Sequence, residues 1–452
     1  MQNELIAAIA TPPGIGGIAI VRMSGQGAEQ TLMRVFKPKN ATAIPLSSHL
    51  LTFGNLIEGD TILDECMAVI MKKPRSYTRE DVCEIHVHAG AASSQNALRL
   101  CLLNGARMAH NGEFTRRAFE NGRINMSQAE AVMDMISAKT YTGQMAAMRG
   151  LSGESSQFIN KAKDRIIKLS ALLEAGIDFP DDVTDPCLFT KIHDESMELA
   201  ALLVGIANER KARIINEGLS IVICGLPNVG KSSLFNALVQ EDLAIVTQIP
   251  GTTRDIITSA IELNGVVAHI SDMAGLNDET NDVVEKEGIQ RAKKKAEEAD
   301  CLLLVLDGSR PLTEYEHQLI TASYSVPLFI YINKSDLIHV INICDIKAIN
   351  STACVFQGCA LHPNSLQPFK QALSVLVCDT DSFALTSQRQ ITLALSAADR
   401  LTAAASAAEN LLEYELCAIE LHDALWALGC ITGENINEKV IDQIFNDFCV
   451  GK

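Results

Sequence analysis

The sequence has no apolar run long enough to cross a membrane. Its longest runs, such as residues 301–306, are far shorter than the roughly 20 residues that a membrane-spanning helix requires. The first residues also contain no basic segment ahead of an apolar stretch, which is the pattern of a secretory signal. These absences exclude a membrane-embedded transporter and predict a cytoplasmic protein without membrane partners.

The sequence also lacks the cysteine patterns of a disulfide-stabilised protein or of a zinc site. The 13 cysteines are odd in number and include no Cys-x-x-Cys pair, a spacing typical of zinc and redox sites. We therefore expect reduced thiols that serve mainly as small core residues, as in most cytosolic proteins.

Basic residues are too few for a chain that binds nucleic acid tightly by itself. Lys and Arg number 38 against 55 Asp and Glu, and the formal net charge is −17. Because tight binding to a nucleic-acid backbone needs a basic face, any RNA would be held mainly by a partner protein. The 452 residues, 47% of them hydrophobic, suffice for buried cores and suggest two or three domains.

The most informative segment is the glycine-rich stretch 225–233, Gly-Leu-Pro-Asn-Val-Gly-Lys-Ser-Ser. The apolar run 219–224 predicts a buried strand before it, and the pattern at 234–239 predicts a helix after it. This is the context of a phosphate-binding P-loop, in which Lys231 reaches the β and γ oxygens and the Ser232 hydroxyl binds Mg²⁺. The residues of this loop that we predict to bind nucleotide are Asn228, Val229, Gly230, Lys231, Ser232 and Ser233.

Two later motifs complete a nucleotide site. Asp272 and Gly275 follow the apolar run 266–270, where the carboxylate is expected to hold the Mg²⁺ shell and the glycine N–H to contact the γ-phosphate. The stretch 333–336, Asn-Lys-Ser-Asp, follows the run 327–332. A carboxylate there accepts two N–H bonds that guanine offers and adenine does not. An isolated Asn-Lys-x-Asp is usually a surface turn, but in register after predicted strands these motifs predict a GTPase.

The residue after Gly275 is Leu276, where signalling GTPases place a Gln that orients the attacking water. An aliphatic side chain forms no hydrogen bond to water, so another residue must do this. The acidic segment 282–288 offers candidates, although such a segment is also typical of a solvated helix face.

The chain resembles the MnmE (TrmE) family of tRNA modification GTPases over essentially its whole length. The loop 249–255, the Asp-x-Ala-Gly-Leu sequence at 272–276 and the last four residues, Cys-Val-Gly-Lys, are similar to that family's signatures. Further similar segments are 9–14, 22–25, 78–82, 112–115, 128–131 and 177–180.

The residue pattern and the resemblance predict the same multidomain α/β architecture. Residues 1–119 mix strand and helix patterns, as in an α+β domain, and the resemblance assigns tetrahydrofolate binding and dimerisation to them. Helical patterns are found in residues 120–215 and again in residues 379–452, a segment that ends in the Cys-Val-Gly-Lys tail. The P-loop GTPase block at 216–378 interrupts them. We therefore expect a GTPase domain inserted into an α-helical domain.

The resemblance implies that the N-terminal domain binds 5,10-methylene- or formyl-tetrahydrofolate. Arg22, Glu84 and Arg123 match the family's motifs, and Lys452 joins them because the C-terminal tail reaches toward this site in the family. A carboxylate would accept N–H bonds from the pterin ring, and the cations would pair with the ligand's carboxylates. Cys449 in the tail is a candidate catalytic thiol, and a merely positional role for it stays open.

The strand pattern of residues 82–88 places Glu84, His86 and His88 on one face, because strand side chains alternate. Without the resemblance, this pattern is typical of a solvated strand face. The two histidines invite a metal interpretation, but folate binding or plain surface is favoured over it.

For GTP hydrolysis, the resemblance implies a potassium ion in place of an arginine finger, between the G domains of a homodimer. Its predicted oxygen ligands are Asn228, Thr247, Thr252 and the main-chain carbonyl of Ile249. In the same loop, Thr253 is expected to give Mg²⁺ a second hydroxyl beside that of Ser232.

Two kinds of residue outside the P-loop, a glutamate that orients water and an arginine, are catalytic candidates for hydrolysis. Glu285 matches the family residue that orients water, and Glu287 is a lesser candidate because one residue is inserted after Asp272. Arg254 is the second candidate, although stabilisation of its own loop is its favoured role.

The motif that supports guanine is Cys359-Ala360, where the usual pair is Ser-Ala. Main-chain N–H groups of this motif are expected to contact guanine O6, with somewhat weaker nucleotide affinity. The further residues that we predict to bind GTP are Thr247, Thr252, Thr253, Asp272, Gly275, Asn333, Lys334, Asp336, Cys359 and Ala360.

The resemblance implies a GTP-hydrolysing tRNA modification enzyme. With a flavin-dependent, MnmG-type partner that carries FAD, as a heterotetramer, it would add a carboxymethylaminomethyl group to C5 of the wobble uridine, position 34, of certain tRNAs. The alternative is a ribosome-assembly GTPase switch of the Era type. That class normally adds a compact basic RNA-binding module, and the sequence shows no such module.

Overall fold

The computed structural model describes residues 4–40, 44–178, 186–241, 258–263, 266–272, 299–378, 383–409 and 414–452. Two units make up the chain, one from segments 1–133, 149–201 and 393–452 and the other from segments 134–148 and 202–392. Segments of the two units alternate along the sequence, which agrees with a domain insertion. The domain boundaries at 119, 215 and 378 stay predictions.

A seven-stranded sheet belongs to the first unit. Its order is β3-β4-β5-β6-β2-β1-β7, with β7 parallel to β1 and the other neighbours antiparallel. The strands are β1 (Ile6–Ile9), β2 (Ile18–Ser24), β3 (Phe36–Pro38), β4 (Thr52–Glu58), β5 (Thr61–Met71), β6 (Val82–His88) and β7 (Arg107–Met108).

Helices α1 and α2 cover one face of this sheet. Leu32 of α1 shares a buried core with Val21 of β2 and Ile85 of β6. Because side chains alternate across a strand, the adjacent residues Arg22 and Glu84 lie on the opposite face. The predicted α+β domain is therefore confirmed. Its helices are α1 (Ala28–Val35), α2 (Ala91–Leu103) and α3 (Glu113–Glu120).

A buried ion-pair network anchors α3 to this sheet. Arg117 donates to Glu113 Oε1 at 2.9 Å, to Glu80 Oε2 at 3.1 Å and to the Glu4 carbonyl at 2.9 Å. Arg107 also donates to Glu113 Oε1, at 2.8 Å. Burial alone would raise the pKa of Glu113, but the hydrogen bonds outweigh it and lower that pKa to about 2.

We expect Glu113→Gln to lower the melting temperature at neutral pH. The pKa of this carboxyl falls from 4.5 to about 2 on folding, which corresponds to roughly 3 kcal/mol. Since the folded-state pKa is the lower one, this stabilisation is complete above the unfolded pKa of 4.5 and is lost as pH falls toward 2. The difference in Tm between wild type and variant, measured by thermal melting between about pH 7 and pH 3, should narrow as pH falls.

Glu58→Gln is the matched control because it breaks an exposed ion pair with Arg99 in the same sheet domain. Such a surface pair contributes little, so this variant should melt close to wild type. Equal melting temperatures of the two variants at neutral pH would contradict the expected role of Glu113.

Helices follow the sheet along the chain. In α6 the buried apolar residues recur at the spacing of an amphipathic helix, and they are Ile159, Ala162, Ile166, Leu169 and Leu173. The helices are α4 (Met126–Ser137), α5 (Tyr141–Leu151), α6 (Glu154–Asp178), α7 (Pro186–Ile206) and α8 (Glu209–Glu217).

The second unit contains a six-stranded sheet of order β13-β12-β11-β8-β10-β9, with β9 antiparallel to β10 and the other pairs parallel. Every residue of β11 and β12 is buried, as near-continuous apolar runs in a parallel sheet predict. The strands are β8 (Leu219–Cys224), β9 (Thr258–Leu263), β10 (Val266–Asp272), β11 (Cys301–Asp307), β12 (Leu328–Asn333) and β13 (Cys354–Gln357).

Helices cover both faces of this sheet. Leu234 of α9 and Phe369 of α12 belong to one buried core, whereas Leu319 of α10 and Ile346 of α11 belong to the other. The predicted P-loop α/β fold is confirmed, and in such folds ligands bind at the carboxyl ends of the strands. The helices are α9 (Lys231–Glu241), α10 (Glu314–Thr321), α11 (Ile343–Ile349) and α12 (Gln367–Cys378).

Further helices follow α12 along the chain. α14 packs along α6 within the first unit, so helices from both sides of the GTPase segment pack together, as predicted. Among the described residues, no helix combines the length and the apolar character needed to span a membrane. These last helices are α13 (Gln388–Glu409), α14 (Tyr414–Thr432) and α15 (Glu438–Asn446).

Candidate functional site

The P-loop joins β8 to α9, and its glycines allow other groups to approach closely. Gly225 has φ +143°, and a Cβ there would lie 2.4 Å from the Val305 carbonyl oxygen. Gly230 has φ +96°, and a Cβ there would lie 2.2 Å from Asn333 Nδ2. Side chains at either position would therefore displace the neighbouring motif. Between them, the exposed Asn228 has φ +64°.

Lys231 lies folded over this loop at the start of α9. Its ammonium donates to the carbonyls of Gly225 at 3.0 Å and Leu226 at 2.9 Å, and the residue is only 8% exposed. Ser232 and Ser233 follow on the exposed side of the first helical turn. A buried cation and a helix N-terminus at one loop favour an anionic ligand such as a phosphate.

Asn333 connects the Asn-Lys-x-Asp motif to the P-loop. Its side-chain amide donates to the Val229 carbonyl at 2.9 Å, and its amide oxygen accepts from the Ala360 N–H at 3.0 Å. The residue is 3% exposed. Three segments that sequence analysis assigned to one nucleotide site therefore meet at this side chain.

Lys334 and Asp336 differ in their surroundings. Lys334, with φ +64°, donates to Asp307 Oδ2 at 2.6 Å. Burial would raise the pKa of Asp307, but hydrogen bonds from Lys334 and Ser309 lower it. Asp336 is exposed, and a hydrogen bond from the Cys359 thiol holds its pKa below the usual range. Asp336 therefore remains an ionised acceptor, as a carboxylate that binds guanine must be.

Asp307, the partner of Lys334, was not among the residues predicted from the sequence. The available signal was an aspartate directly after the apolar run of β11, and the register of the parallel strands pairs it with Asn333. Side chains at equivalent ends of adjacent parallel strands lie close together, so this pair was open to prediction.

The Cys359-Ala360 segment makes bonds within the protein. The Cys359 N–H donates to Ser365 Oγ at 3.0 Å, while the Ala360 N–H donates to Asn333. The expected contact of these N–H groups with guanine O6 stays a prediction. Gly358 is needed before them, because a Cβ there would lie 2.2 Å from the Tyr331 hydroxyl.

The remaining GTPase predictions fall mostly outside the described residues. Asp272 ends β10, where it pairs in register with Ile223 of β8, two residues before the P-loop. The main chain thus brings the two motifs to the same end of the sheet. The predicted residues that lie outside the described ranges are Thr247, Ile249, Thr252, Thr253, Arg254, Gly275, Leu276, Glu285 and Glu287.

A second polar cluster lies on the sheet of the first unit. Arg22 and Glu84 are register partners on adjacent strands, and Arg22 Nε donates to Glu84 Oε1 at 2.8 Å. His86 Nε2 lies 3.2 Å from Glu84 Oε2. Burial would raise the pKa of Glu84, but hydrogen bonds from His86 and Arg22 lower it. The structure thus brings Arg22, Glu84 and His86 together on one face of the sheet.

The C-terminal tail packs against this cluster. Arg22 donates to the Gly451 carbonyl at 3.4 Å, and the Phe114 N–H donates to the Lys452 main-chain oxygen at 3.1 Å. Gly451 has φ +95°, and a Cβ there would lie 2.5 Å from the Ile9 carbonyl oxygen. Cys449 keeps an exposed thiol.

Tyr77 links the two predicted arginines of this site, and sequence analysis did not identify it. Its ring centre lies 4.6 Å from the guanidinium carbon of Arg123 and 5.7 Å from that of Arg22. Its hydroxyl is 3.0 Å from Thr115 Oγ1. Cationic side chains over an aromatic face are held in place by the ring.

The metal interpretation of His86 and His88 gains no support from the structure. In the part of the chain that the structure describes, no group of three or more His, Cys, Asp or Glu side chains is arranged to hold a metal ion. His86 instead contacts Glu84, and His88 Nδ1 lies 2.6 Å from Asp64 Oδ1.

Two protein-family models match this chain, one in its N-terminal part and one in the remainder. Residues 5–123 match the family model described as the GTP-binding protein TrmE N-terminus, and residues 126–449 match that of the MnmE helical domain. These two matches together cover most of the chain.

Several curated relatives match over full length. The tRNA modification GTPase MnmE of Alkaliphilus oremlandii is 39% identical and the one of Streptococcus thermophilus is 38% identical, each over 100% of this chain and 99% of the relative. The MnmE of Acetivibrio thermocellus is 37% identical over 100% of both chains. This chain therefore belongs to the MnmE family of tRNA modification GTPases.

Proposed function

We propose that this GTPase acts with a flavin-dependent, MnmG-type partner, which carries FAD, to add a carboxymethylaminomethyl group to C5 of the wobble uridine, position 34, of certain tRNAs. The observation that supports this proposal best is the charged cluster of Arg22 and Glu84 under the C-terminal tail. A simple GTP switch needs no second ligand site, whereas a group-transfer enzyme needs one for its second reactant.

We propose 5,10-methylene- or formyl-tetrahydrofolate as the ligand of this cluster, where it would supply the one-carbon unit. Glu84, kept ionised, suits the N–H donors of a pterin ring. Arg22 and Arg123, both beside Tyr77, offer planar guanidinium groups for the ligand's carboxylates, and Lys452 adds a third cation. The exposed Cys449 thiol stays a candidate nucleophile or a positional residue.

In the GTPase domain, the P-loop N–H groups and Lys231 would hold the phosphates while Asp336 accepts N–H bonds from guanine. Mg²⁺, when bound, neutralises phosphate charge, and the exposed Ser232 hydroxyl at the start of α9 fits its ligand set. We infer that Thr253 and Asp272 complete the protein's contribution to that set.

A potassium ion is the proposed second cation at the phosphates. The exposed Asn228 in its positive-φ conformation suits this role because its amide offers an oxygen ligand. The other proposed ligands are Thr247, Thr252 and the Ile249 carbonyl. We propose that Glu285 orients water and that Arg254 stabilises the same loop.

The proposed assembly is a homodimer that joins a flavin-dependent partner in a heterotetramer. The net charge of −17 opposes tight binding of a polyanion by this chain alone. The partner would therefore supply most of the basic surface that holds the tRNA.

Deletion of the gene is expected to remove the carboxymethylaminomethyl group from wobble uridine while ribosomal subunit profiles stay normal. Mass analysis of digested tRNA measures the first property and sucrose-gradient sedimentation measures the second. The wild-type gene on a plasmid should restore the modification. Accumulated ribosomal precursors with fully modified uridine would contradict the proposal and favour an Era-type assembly switch.

A further inference from the structure

We propose that Ser365 is a positioning residue for guanine nucleotides, because its hydroxyl fixes the segment 358–362 that contacts both Asn333 and Ser335, the residue before Asp336. The short 3₁₀ helix Pro363–Leu366 carries this serine, directly ahead of α12. The proposal rests on the GTPase activity of the family and is independent of the tRNA chemistry and of folate.

The Ser365 hydroxyl can use its full hydrogen-bonding capacity in this position. It accepts from the Cys359 N–H at 3.0 Å, and the Cys359 carbonyl at 2.8 Å and the His362 carbonyl at 2.7 Å are both in reach of its proton. The Tyr331 hydroxyl, 3.4 Å away, can use its second lone pair. A hydroxyl has one donor and two acceptor sites, so this serine is suited to hold a turn closed.

Main-chain hydrogen bonds also close the turns between Cys359 and Ser365. The His362 N–H donates to the Cys359 carbonyl at 2.9 Å, and the Ser365 N–H donates to the His362 carbonyl at 2.9 Å. The side chain of Ser365 therefore bridges two consecutive turns. Without it, the Cys359 N–H would lose its acceptor in a buried position, which costs about 1–3 kcal/mol.

The segment 358–362 is connected to the nucleotide site by two sets of contacts. The Ala360 N–H, next to Cys359, donates to Asn333, which in turn donates to the Val229 carbonyl of the P-loop. The Gly358 carbonyl, next to Cys359 on its other side, accepts from the N–H of Ser335 at 3.1 Å, and Ser335 directly precedes Asp336. A shift of residues 358–360 would thus displace the main chain beside Asp336, the proposed guanine-binding carboxylate, and would also disturb the contact between the two motifs.

The test compares Ser365→Thr with Ser365→Val, which have nearly the same shape and differ in the hydroxyl. We expect the valine variant to bind GDP about tenfold more weakly, equivalent to about 1.4 kcal/mol, and to lose selectivity for GDP over xanthosine diphosphate. Its kcat at saturating GTP should stay within about twofold of wild type. The threonine variant should keep wild-type affinity. Fluorescent GDP titration with competition measures both affinities.

Thr321→Ala is the matched control, since the hydroxyl of Thr321 bonds only to carbonyls of its own helix among the contacts that the structure describes. It should leave GDP affinity unchanged. If the valine variant does not fold in a thermal melt, Ser365→Ala replaces it in the same comparison. Equal GDP affinity of the threonine variant and the variant without a hydroxyl would overturn the proposal, even if the latter melts at a lower temperature.

Discussion

Lys231→Ala is expected to lower kcat/KM for GTP by at least about a hundredfold, the scale on which one lost electrostatic partner of a transition state acts. The ammonium lies buried over the P-loop, held by the carbonyls of Gly225 and Leu226. With nucleotide bound, it is expected to pair with phosphate oxygens, where negative charge develops during hydrolysis. Release of inorganic phosphate from purified protein measures the effect.

Lys347→Ala is the control for charge removal in the same domain. Lys347 lies on α11, and its ammonium donates to the Ala353 carbonyl in the following turn at 2.7 Å. Because this bond involves none of the proposed nucleotide-binding residues, GTP turnover should change less than about twofold. A Lys231→Ala variant that hydrolyses GTP at the wild-type rate would mean that the P-loop is not the hydrolytic site.

Glu84→Gln is expected to weaken formyl-tetrahydrofolate binding about thirtyfold while GTP turnover stays within about twofold of wild type. The substitution keeps the shape but replaces a charged acceptor, which bonds Arg22 Nε at 2.8 Å, with a neutral amide. Charge-assisted hydrogen bonds contribute about 1.5–3 kcal/mol each. Isothermal titration of the folate into purified protein measures the loss.

Glu65→Gln serves as the control on the same sheet. Glu65 pairs with Lys39 on the surface, and both side chains are about half exposed, so this pair contributes little. Folate affinity should stay at the wild-type value in this variant. If the two glutamine variants bind folate equally well, Glu84 does not contact the ligand.

The meeting of the proposed nucleotide-binding motifs could be predicted from sequence because each motif is short and follows a strand. The segment 225–233 carries its own glycines, lysine and serines, and the parallel sheet necessarily brings strand ends together. The partners that fix these motifs were harder to predict. Ser365 lies 136 positions after Val229, and no local pattern links a serine in a turn with the P-loop.

The site on the first sheet could be predicted only through family resemblance. Alternation within β6 placed Glu84 and His86 on one face, but the pairing with Arg22 depends on the register of two strands 62 residues apart. The contact of Arg22 with Gly451 spans 429 residues. Tyr77 gave no signal, since one aromatic residue in a loop is usual in any protein. Contacts of this range depend on tertiary packing, which a single sequence does not display.

The most direct test of the account asks whether the second site serves the tRNA reaction. A deletion strain that produces the Glu84→Gln variant should contain wobble uridine largely without the carboxymethylaminomethyl group by mass analysis, although the purified variant hydrolyses GTP at the wild-type rate. The Glu65→Gln variant should restore the modification. Full modification in the Glu84→Gln strain would contradict the central claim that this site holds a reactant of tRNA modification.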